Sequence, residues 1–594
     1  MGRAWDAIRP FFRRHWRRAL AIRERLRIQE ETFHLVLAGV IGIIGGLANL
    51  VFYIAIEWVM GFALRDTGDV VEIAQIMAPW QRVITPALGG LAAGLVLFWG
   101  LRLVSNQGAS HLVEVVIAGD GRLRLRSAMV KALSSLLSIG TGSSIGREGS
   151  ITQITAAIAS KSGQLAGWQP YRLRLMVACG AAAGMAAAYN APIAGAVFAC
   201  QIVLANFSMT YFGPVIFSSV VASMISRTFF GLVPFYSVPD FDFTALNQLP
   251  WFLVLGVLSG VVASVFLVLL ARSEEYFARL KAPIYARMAL GGLIVGLLAI
   301  TYPEVCGNGY GAINEILHKN PAFWIVLGLF CAKLFATAAT VGSGAVGGVM
   351  TPTLFLGAAL GSFYGATLHR LHITELPTGA FALVGMGSVL AGTIHTPLLA
   401  LILIFEISLN YSVMPPLMLA CAVSTVVARR LHPDSIYTAP LRRKGVTDDA
   451  AAQKLGSASQ KTVGEIMREP VPPVKQTASF REVADKFLTT TYNFLPVIDH
   501  EERLVGIVAL QDMKEHLGAD VEFNTLIAYD LMRPAPDCLT PSQRLLDVLP
   551  LLLKSELRNV PVVNNPADRR LVGSIQRSEA LALLADAISA RGAV

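Results

Sequence analysis

The stretch GTGSSIGREGSITQITAAIAS, residues 140–160, decides how the rest of the chain is read. Arg147 and Glu148 stand between Gly146 and Gly149, and the stretch holds no second acid. The sequence around it is apolar and rich in small residues. A glycine-rich loop leaves backbone N–H groups without partners, and a helix start adds a partial positive charge. Together they make an anion site that needs no full cationic side chain. A full positive charge would hold the anion too tightly, whereas conduction needs weak, multi-site binding. Glu148 has the sign of such an anion. Its carboxylate can occupy the site and leave when protonated, which is a gate by competition. The plainer alternative is an ion pair of Glu148 with Arg147 or Lys131 that only holds helices together.

Composition sets the solvent. Of 594 residues 54 % are hydrophobic and only 15 % charged, against about a quarter charged in soluble chains. That balance indicates a polytopic membrane protein, and the 52 glycines suit close helix contacts in lipid. The six cysteines are scattered with no CxxC pair, which supports neither a disulfide framework nor a zinc site. The net charge of +9 is uneven, with nine arginines among the first 27 residues. Residues 1–32 read as a basic arm on the cytoplasmic face rather than a nucleic-acid site. The arm is too charged for a signal peptide. The positive-inside pattern places both termini in the cytoplasm and calls for an even number of spans.

Residues 33–437 form the membrane part. Candidate spans are 35–59, 83–100, 252–270, 289–300, 323–342 and 416–428. Several fall short of the roughly 20 residues that cross a bilayer, and others are cut by Gly and Pro. Short, interrupted apolar segments mark broken helices that point their ends at a substrate. An internal repeat is visible. Asn190–Gln201 (NAPIAGAVFACQ) aligns without gaps with His395–Glu406 (HTPLLALILIFE), and the GREGS loop has a partner in Gly347–Pro352 (GGVMTP). Two matches in one order argue for a duplicated fold with inverted copies. Residues 438–460 read as a polar linker. Two similar soluble units follow at 461–518 and 526–587, each with helix, short strand (FLPVID, NVPVVN), turn, second strand (LVGIVAL, LVGSIQ) and helix. The expected fold is an all-α polytopic membrane domain plus a cytoplasmic α/β tandem.

These motifs give the chain a family likeness. From about residue 30 to 587 it resembles the CLC family of chloride channels and proton-coupled chloride transporters, with a C-terminal pair of CBS domains. GREG in the first half, GGxxxP in the second and Asp434-Ser-Ile-Tyr437 carry the likeness. The resemblance implies an inverted repeat with broken helices and a homodimer with one pore per subunit. It makes Glu148 the external gating glutamate. The amides of Arg147, Glu148 and Gly149 would contact the outer anion, and those of Val349 and Met350 the central one. Tyr437 would reach the central anion from inside. Pro192–Val203 and Pro397–Ile407 would build the dimer contact.

Four departures from the family pattern matter. The first anion motif, usually Gly-Ser-Gly or Gly-His-Gly followed by x-Pro-Glu, is Asn106-Gln107-Gly108-Ala109-Ser110-His111 here. Gln107 falls where a serine would sit. Its amide brings an acceptor and more bulk as well as donors, which opens the anion preference to nitrate, bromide or fluoride. Ser150 replaces the usual proline, and Met350 the usual aromatic. Most informative is Ile202, which occupies the position of the internal proton-relay glutamate, with Gln201 beside it. Neither side chain titrates, and Glu406 is not an obvious substitute. On the sequence, passive chloride conduction gated by Glu148 is therefore expected ahead of Cl⁻/H⁺ exchange.

CBS pairs often bind adenine nucleotides through Gly-x-x-Thr/Ser-x-x-Asp. The copies here read Gly506-Ile-Val-Ala509-Leu-Gln-Asp512 and Gly573-Ser-Ile-Gln576-Arg-Ser-Glu579. Asp512 and Glu579 keep the acids, but the hydroxyl is lost, so weak adenine-nucleotide binding or none is expected. Lys461 and Arg577 are the basic residues in reach of a phosphate. No cofactor is required. With no P-loop and no arguable catalytic triad, the chain does not read as an enzyme. The expected partners are chloride or another monovalent anion, protons as gating ligand, a second copy of the chain and the lipid bilayer. Nucleic acid is excluded. The expected location is a bacterial inner membrane. A further class keeps the CBS pair as a nucleotide sensor on an inactive membrane anchor.

Overall fold

The computed structural model describes residues 30–104, 112–117, 121–166, 168, 170–207, 209–231, 236, 238, 246–319, 322–443, 462–490, 492–516, 526–545, 547–555 and 557–581. The chain divides into two compact units, Met1–Lys444 and Gly445–Val594.

The first unit is helical. Its first half holds α1 (Glu30–Ala63), α2 (Val70–Ile76), α3 (Pro79–Leu103), α4 (Leu112–Ile117), α5 (Leu125–Gly140), α6 (Glu148–Ala166), α7 (Pro170–Tyr189), α8 (Pro192–Phe198) and α9 (Met209–Phe230). The second half holds α10 (Leu249–Arg279), α11 (Ile284–Thr301), α12 (Tyr310–His318), α13 (Phe323–Gly342), α14 (Met350–Arg370), α15 (Thr378–Ile394), α16 (Pro397–Ser408) and α17 (Met414–Leu431). A short helix α18 (Ala439–Arg443) closes the unit inside the stretch expected to be linker.

Among the described residues seven helices are long and apolar enough to cross a membrane, and three shorter apolar helices accompany them. All six sequence-read spans lie within six of the seven. The segment 289–300 lengthens to the 18 residues of α11, and the missed seventh is Tyr211–Phe230. At 1.5 Å per residue, 34-residue α1 is about 50 Å long. It exceeds the hydrocarbon thickness and must tilt.

The repeat governs the packing. α1 lies on α9 as α10 lies on α17; α6 lies on α7 as α14 lies on α15; α7 lies on α9 as α15 lies on α17. Contacts that join the halves include α3 with α11 and α8 with α16. Small residues permit these approaches. A Cβ on Gly292 would lie 2.0 Å from the Pro86 carbonyl oxygen across the α3–α11 contact, and Gly357 and Gly385 each face the other's carbonyl in α14–α15. The aligned residues Asn190 and His395 both adopt φ 57°, a left-handed turn before the proline that starts α8 or α16. An arginine reaches each carbonyl, Arg227 Nη2 to Asn190 at 3.5 Å and Arg429 Nη2 to His395 at 2.8 Å.

In the second unit β1 (Val474–Lys475), β2 (Phe494–Ile498), β3 (Leu504–Ala509) and β4 (Arg533–Pro534) form one sheet in that order. β1–β2 is parallel and the other two pairings are antiparallel. β5 (Asn559–Val563) and β6 (Leu571–Gln576) form an antiparallel pair. All four sequence-read strands appear. The copies exchange edges: β4 comes from the second copy, and Arg468 of the first bridges to Ser574 of the second. Each copy has its own apolar core, around Leu495, Val497 and Val508 in one and Val560, Val562 and Leu552 in the other.

Candidate functional site

The two matched glycine loops meet. The N–H of Gly146 donates to the Gly348 carbonyl at 2.8 Å, and the N–H of Gly348 donates to the Gly146 carbonyl at 2.7 Å. This reciprocal pair brings together the starts of α6 and α14, two half-helices from opposite repeats. Glu148 is the first residue of α6 and Met350 the first of α14.

The Glu148 carboxylate lies in the seam between them and is only 2 % exposed. The N–H of Thr351 donates to Oε1 at 3.1 Å, and the Thr351 hydroxyl donates to Oε2 at 3.1 Å. The start of α14 thus holds a negative group, as the macrodipole favours. No space is left beside it: a Cβ on Gly146 would lie 2.1 Å from Oε2, and one on Gly348 2.2 Å from Oε1. Thr351 was not singled out in the sequence. Its one signal is its place after Val349 and Met350 at a helix start.

Arg147 is buried beside aromatic rings, 5.1 Å from the Tyr53 centroid and 5.8 Å from that of Tyr310. Gly149 packs against Gly347, where a Cβ would meet backbone at 3.0 Å. The Ser150 hydroxyl donates to Ser135 Oγ at 2.7 Å, a new tie at the position of the usual proline.

Val349 precedes α14, and its carbonyl takes the Thr353 N–H at 3.0 Å. Beside it opens a cavity of about 300 Å³ lined by Leu267, Leu270, Val349, Ile436, Asp434 and Arg442. Asp434 accepts two hydrogen bonds from Arg442, at 3.2 and 3.1 Å. The Ile436 N–H donates to the Thr393 carbonyl at 3.2 Å. Tyr437 stands edge-on to Phe198 with ring centroids 5.9 Å apart, and its phenol is in electrostatic reach of Glu148. Glu148, Val349, Met350 and Tyr437 therefore share one neighbourhood. Gln107 and Gly108, of the first anion motif, lie outside the described residues.

The relay position is apolar in three dimensions too. α8 runs into a π turn, Ala199–Val203, a feature often found at functional positions. Ile202 is buried there, and Gln201 Oε1 is buried with no hydrogen-bond partner among the described residues. The Glu406 carboxylate is engaged elsewhere: it accepts from the N–H groups of Ile193 at 2.8 Å and Ala194 at 2.7 Å, tying α16 to the start of α8.

With this geometry in place, the comparisons with known proteins agree on the family. The Voltage gated chloride channel model matches residues 93–429, and the CBS domain model matches residues 463–519 and 528–586. The chain belongs to the CLC family. A ClcB-like protein of Ralstonia nicotianae, named for a chloride channel, is 44 % identical over 416 residues, 69 % of this chain and 96 % of the relative. The voltage-gated ClC-type chloride channel ClcB of Escherichia coli is 39 % identical over 410 residues, 68 % of this chain and 97 % of the relative. Among solved structures, a slow cyanobacterial Cl⁻/H⁺ antiporter is 27 % identical with TM-score 0.62, over 70 % of this chain and 98 % of that one. This CLC protein is thus a multi-pass bacterial membrane protein of an anion-transport family, not an enzyme, and it carries a CBS pair.

The CBS acids are already paired. Asp512 accepts from the Ala509 N–H at 3.0 Å and forms an ion pair with Arg533 of the other copy. Glu579 pairs with Arg468 of the other copy at 2.7 Å. Arg577 donates to the carbonyls of Leu552 and Leu553 at 2.8 and 3.2 Å, and Lys461 lies outside the described residues. A ribose would have to displace two arginines. ATP or AMP added to the full chain in detergent is expected to leave the melting temperature of the tail unchanged. A rise that grows with nucleotide concentration is the signature of a site and would contradict this.

Proposed function

We propose that this protein moves chloride across the bacterial cell membrane in exchange for protons, with Glu148 as the shared element. The carboxylate sits as a tethered anion on two Thr351 donors at the start of α14. It blocks the seat while charged and vacates it when protonated, so each release takes up one proton. The observation that carries this reading is the paired seat at Thr351, closed on both sides by Gly146 and Gly348. The 27 % identity to a solved Cl⁻/H⁺ antiporter supports exchange over the passive conduction expected from sequence. Arg147, Gly149, Val349, Met350 and Tyr437 line the anion path in this reading, as does the Gln107-Gly108 pair. The two subunits of a homodimer meet along α8 and α16, where Ile193 and Leu398 are exposed. Both termini are cytoplasmic.

Passive conduction is the second reading, and Ile202 favours it because an isoleucine relays no proton. One experiment separates the two. The protein is reconstituted in chloride-loaded liposomes, and Cl⁻ efflux and external pH are recorded together with valinomycin clamping the voltage. Uphill proton uptake at a fixed ratio to chloride is expected. Fast efflux with no proton movement would establish conduction instead and give Ile202 its meaning. Absence of any anion flux, in wild type and in every Glu148 variant alike, would leave the CBS pair as a sensor on an inert anchor.

A further inference from the structure

The Glu148 carboxylate puts Oε1 on the Thr351 N–H and Oε2 on the Thr351 hydroxyl, each at 3.1 Å. One residue thus offers two donors to the two oxygens of one planar group. Other threonines in these helices use the hydroxyl differently. Thr155, Thr340, Thr353, Thr367 and Thr393 turn it back on the carbonyl four residues earlier. Thr351 is the second residue of α14, and the residue four before it, Gly347, lies outside the helix. Its proton is therefore available to the seat. A second hydroxyl settles where that proton points. Tyr189, the last residue of α7, is 4 % exposed, and its oxygen lies 2.8 Å from Thr351 Oγ1. Thr351 has one proton and gives it to Oε2, so the phenol is the donor in that pair. The Tyr189 O–H occupies a lone pair on Thr351 and leaves the threonine proton facing the seat. The two hydroxyls come from opposite repeats, as the two glycine loops do.

We infer that Thr351 and Tyr189 form the specificity element of the outer anion seat, Thr351 as ligand and Tyr189 as the residue that positions its hydroxyl, and that the pair favours a planar oxyanion of the nitrate type over a single-centred halide. This inference rests on the reading of Glu148 given above, in which the anion takes the place the carboxylate leaves. Nitrate is flat, carries one negative charge and presents two oxygens side by side, as the carboxylate does. Each Thr351 donor then has an acceptor of its own. Chloride has one centre, which both donors must share. Loss of the hydroxyl separates the two anions. A nitrate oxygen that faces a methyl is a buried acceptor without a partner, and it bears the full desolvation penalty. Chloride strands no second acceptor and re-centres on the remaining N–H. A site built from hydrogen bonds discriminates most through the groups it would leave unpaired. Among the described residues the Tyr189 hydroxyl bonds to Thr351 alone, so its part in selectivity passes through that threonine.

The test is calorimetric titration of the full chain in detergent with sodium chloride and with sodium nitrate. Glu148→Ala empties the seat, and the binding it gains over wild type reports that seat. Nitrate is expected to bind this background more tightly than chloride. Thr351→Val, which keeps the shape and removes the hydroxyl, should lower nitrate affinity about tenfold or more, the scale of one hydrogen bond to a charged group. Chloride should lose less, so the preference disappears. Thr351→Ser, which keeps the hydroxyl, should retain it. Tyr189→Phe keeps the ring and should move the nitrate-to-chloride ratio the same way by a smaller step. Added to Thr351→Val it should change nothing, because no hydroxyl is left to orient. A chloride preference in Glu148→Ala overturns the inference, as does a ratio that Thr351→Val leaves unchanged. A further fall in affinity when Tyr189→Phe is added to Thr351→Val places the phenol on the anion itself and overturns its positioning role. If Glu148→Ala gains no binding over wild type, the Glu148 reading fails and takes the inference with it, a result distinct from an altered ratio.

Discussion

Glu148→Gln should transport chloride at a rate that no longer responds to pH, at or above the wild-type rate reached in acid. Proton movement should be lost. The amide is nearly isosteric with the carboxyl and carries no charge, so it imitates the protonated state permanently. Hydrogen bonds to a charged group contribute about 1.5–3 kcal/mol each, against about 0.5–1.5 for neutral pairs. Two donors face this carboxylate, so neutralising it weakens the seat by roughly 2 kcal/mol, about thirtyfold in occupancy. The sign for wild type follows. Falling pH protonates Glu148, frees the donors for the anion and raises flux; rising pH restores the carboxylate to its seat and lowers flux. Efflux from liposomes at a series of pH values measures both proteins. A folded Glu148→Gln protein that conducts nothing, or one that keeps the wild-type pH profile, would sink the assignment.

What the sequence made legible was whatever lies close together along the chain. GREGS and GGVMTP could be matched because each is one short run, and the structure joins them by two backbone hydrogen bonds. Asn190 and His395 could be aligned because a proline follows two residues after each, and both take the same left-handed turn. Thr351 could not be found this way. Its hydroxyl meets Glu148 across 203 residues of chain, and a threonine near a helix start is common. Tyr189, whose hydroxyl lies 2.8 Å from that of Thr351, comes from a separate helix, with nothing in its local sequence to connect the two. The partners of the CBS acids could not be read for a related reason. Asp512 and Glu579 sit in the expected register, but the arginines that occupy them come from the opposite copy. The spans read short because Gly and Pro look like interruptions. In lipid the same glycines are where helices touch, and α11 continues through Gly291, Gly292 and Gly296.

Gly348→Ala should uncouple transport from pH and also lower chloride flux, a pairing that Glu148→Gln does not produce. The three atoms that a Cβ at Gly348 would meet first all belong to Glu148, at 2.2, 2.3 and 2.7 Å. The side chain of Glu148 is flexible and can leave, so the fold survives while the gate loses its seat. The reciprocal backbone bonds between Gly146 and Gly348 need no side chain and remain. The methyl, however, now stands where the tethered carboxylate stood, which is where a free anion would bind. Overpacking of this kind costs about 1–3 kcal/mol, a five- to hundredfold loss of anion occupancy. The double variant Glu148→Ala/Gly348→Ala separates the two effects. Its melting temperature should equal that of Glu148→Ala alone, because the three nearest neighbours of the methyl are gone. Its chloride flux should stay as low as that of Gly348→Ala, because the methyl still occupies the seat. Recovery of flux to the Glu148→Ala level would mean that the carboxylate and the permeating anion use different places. The tethered-anion account of Glu148 would then fail at its geometric centre.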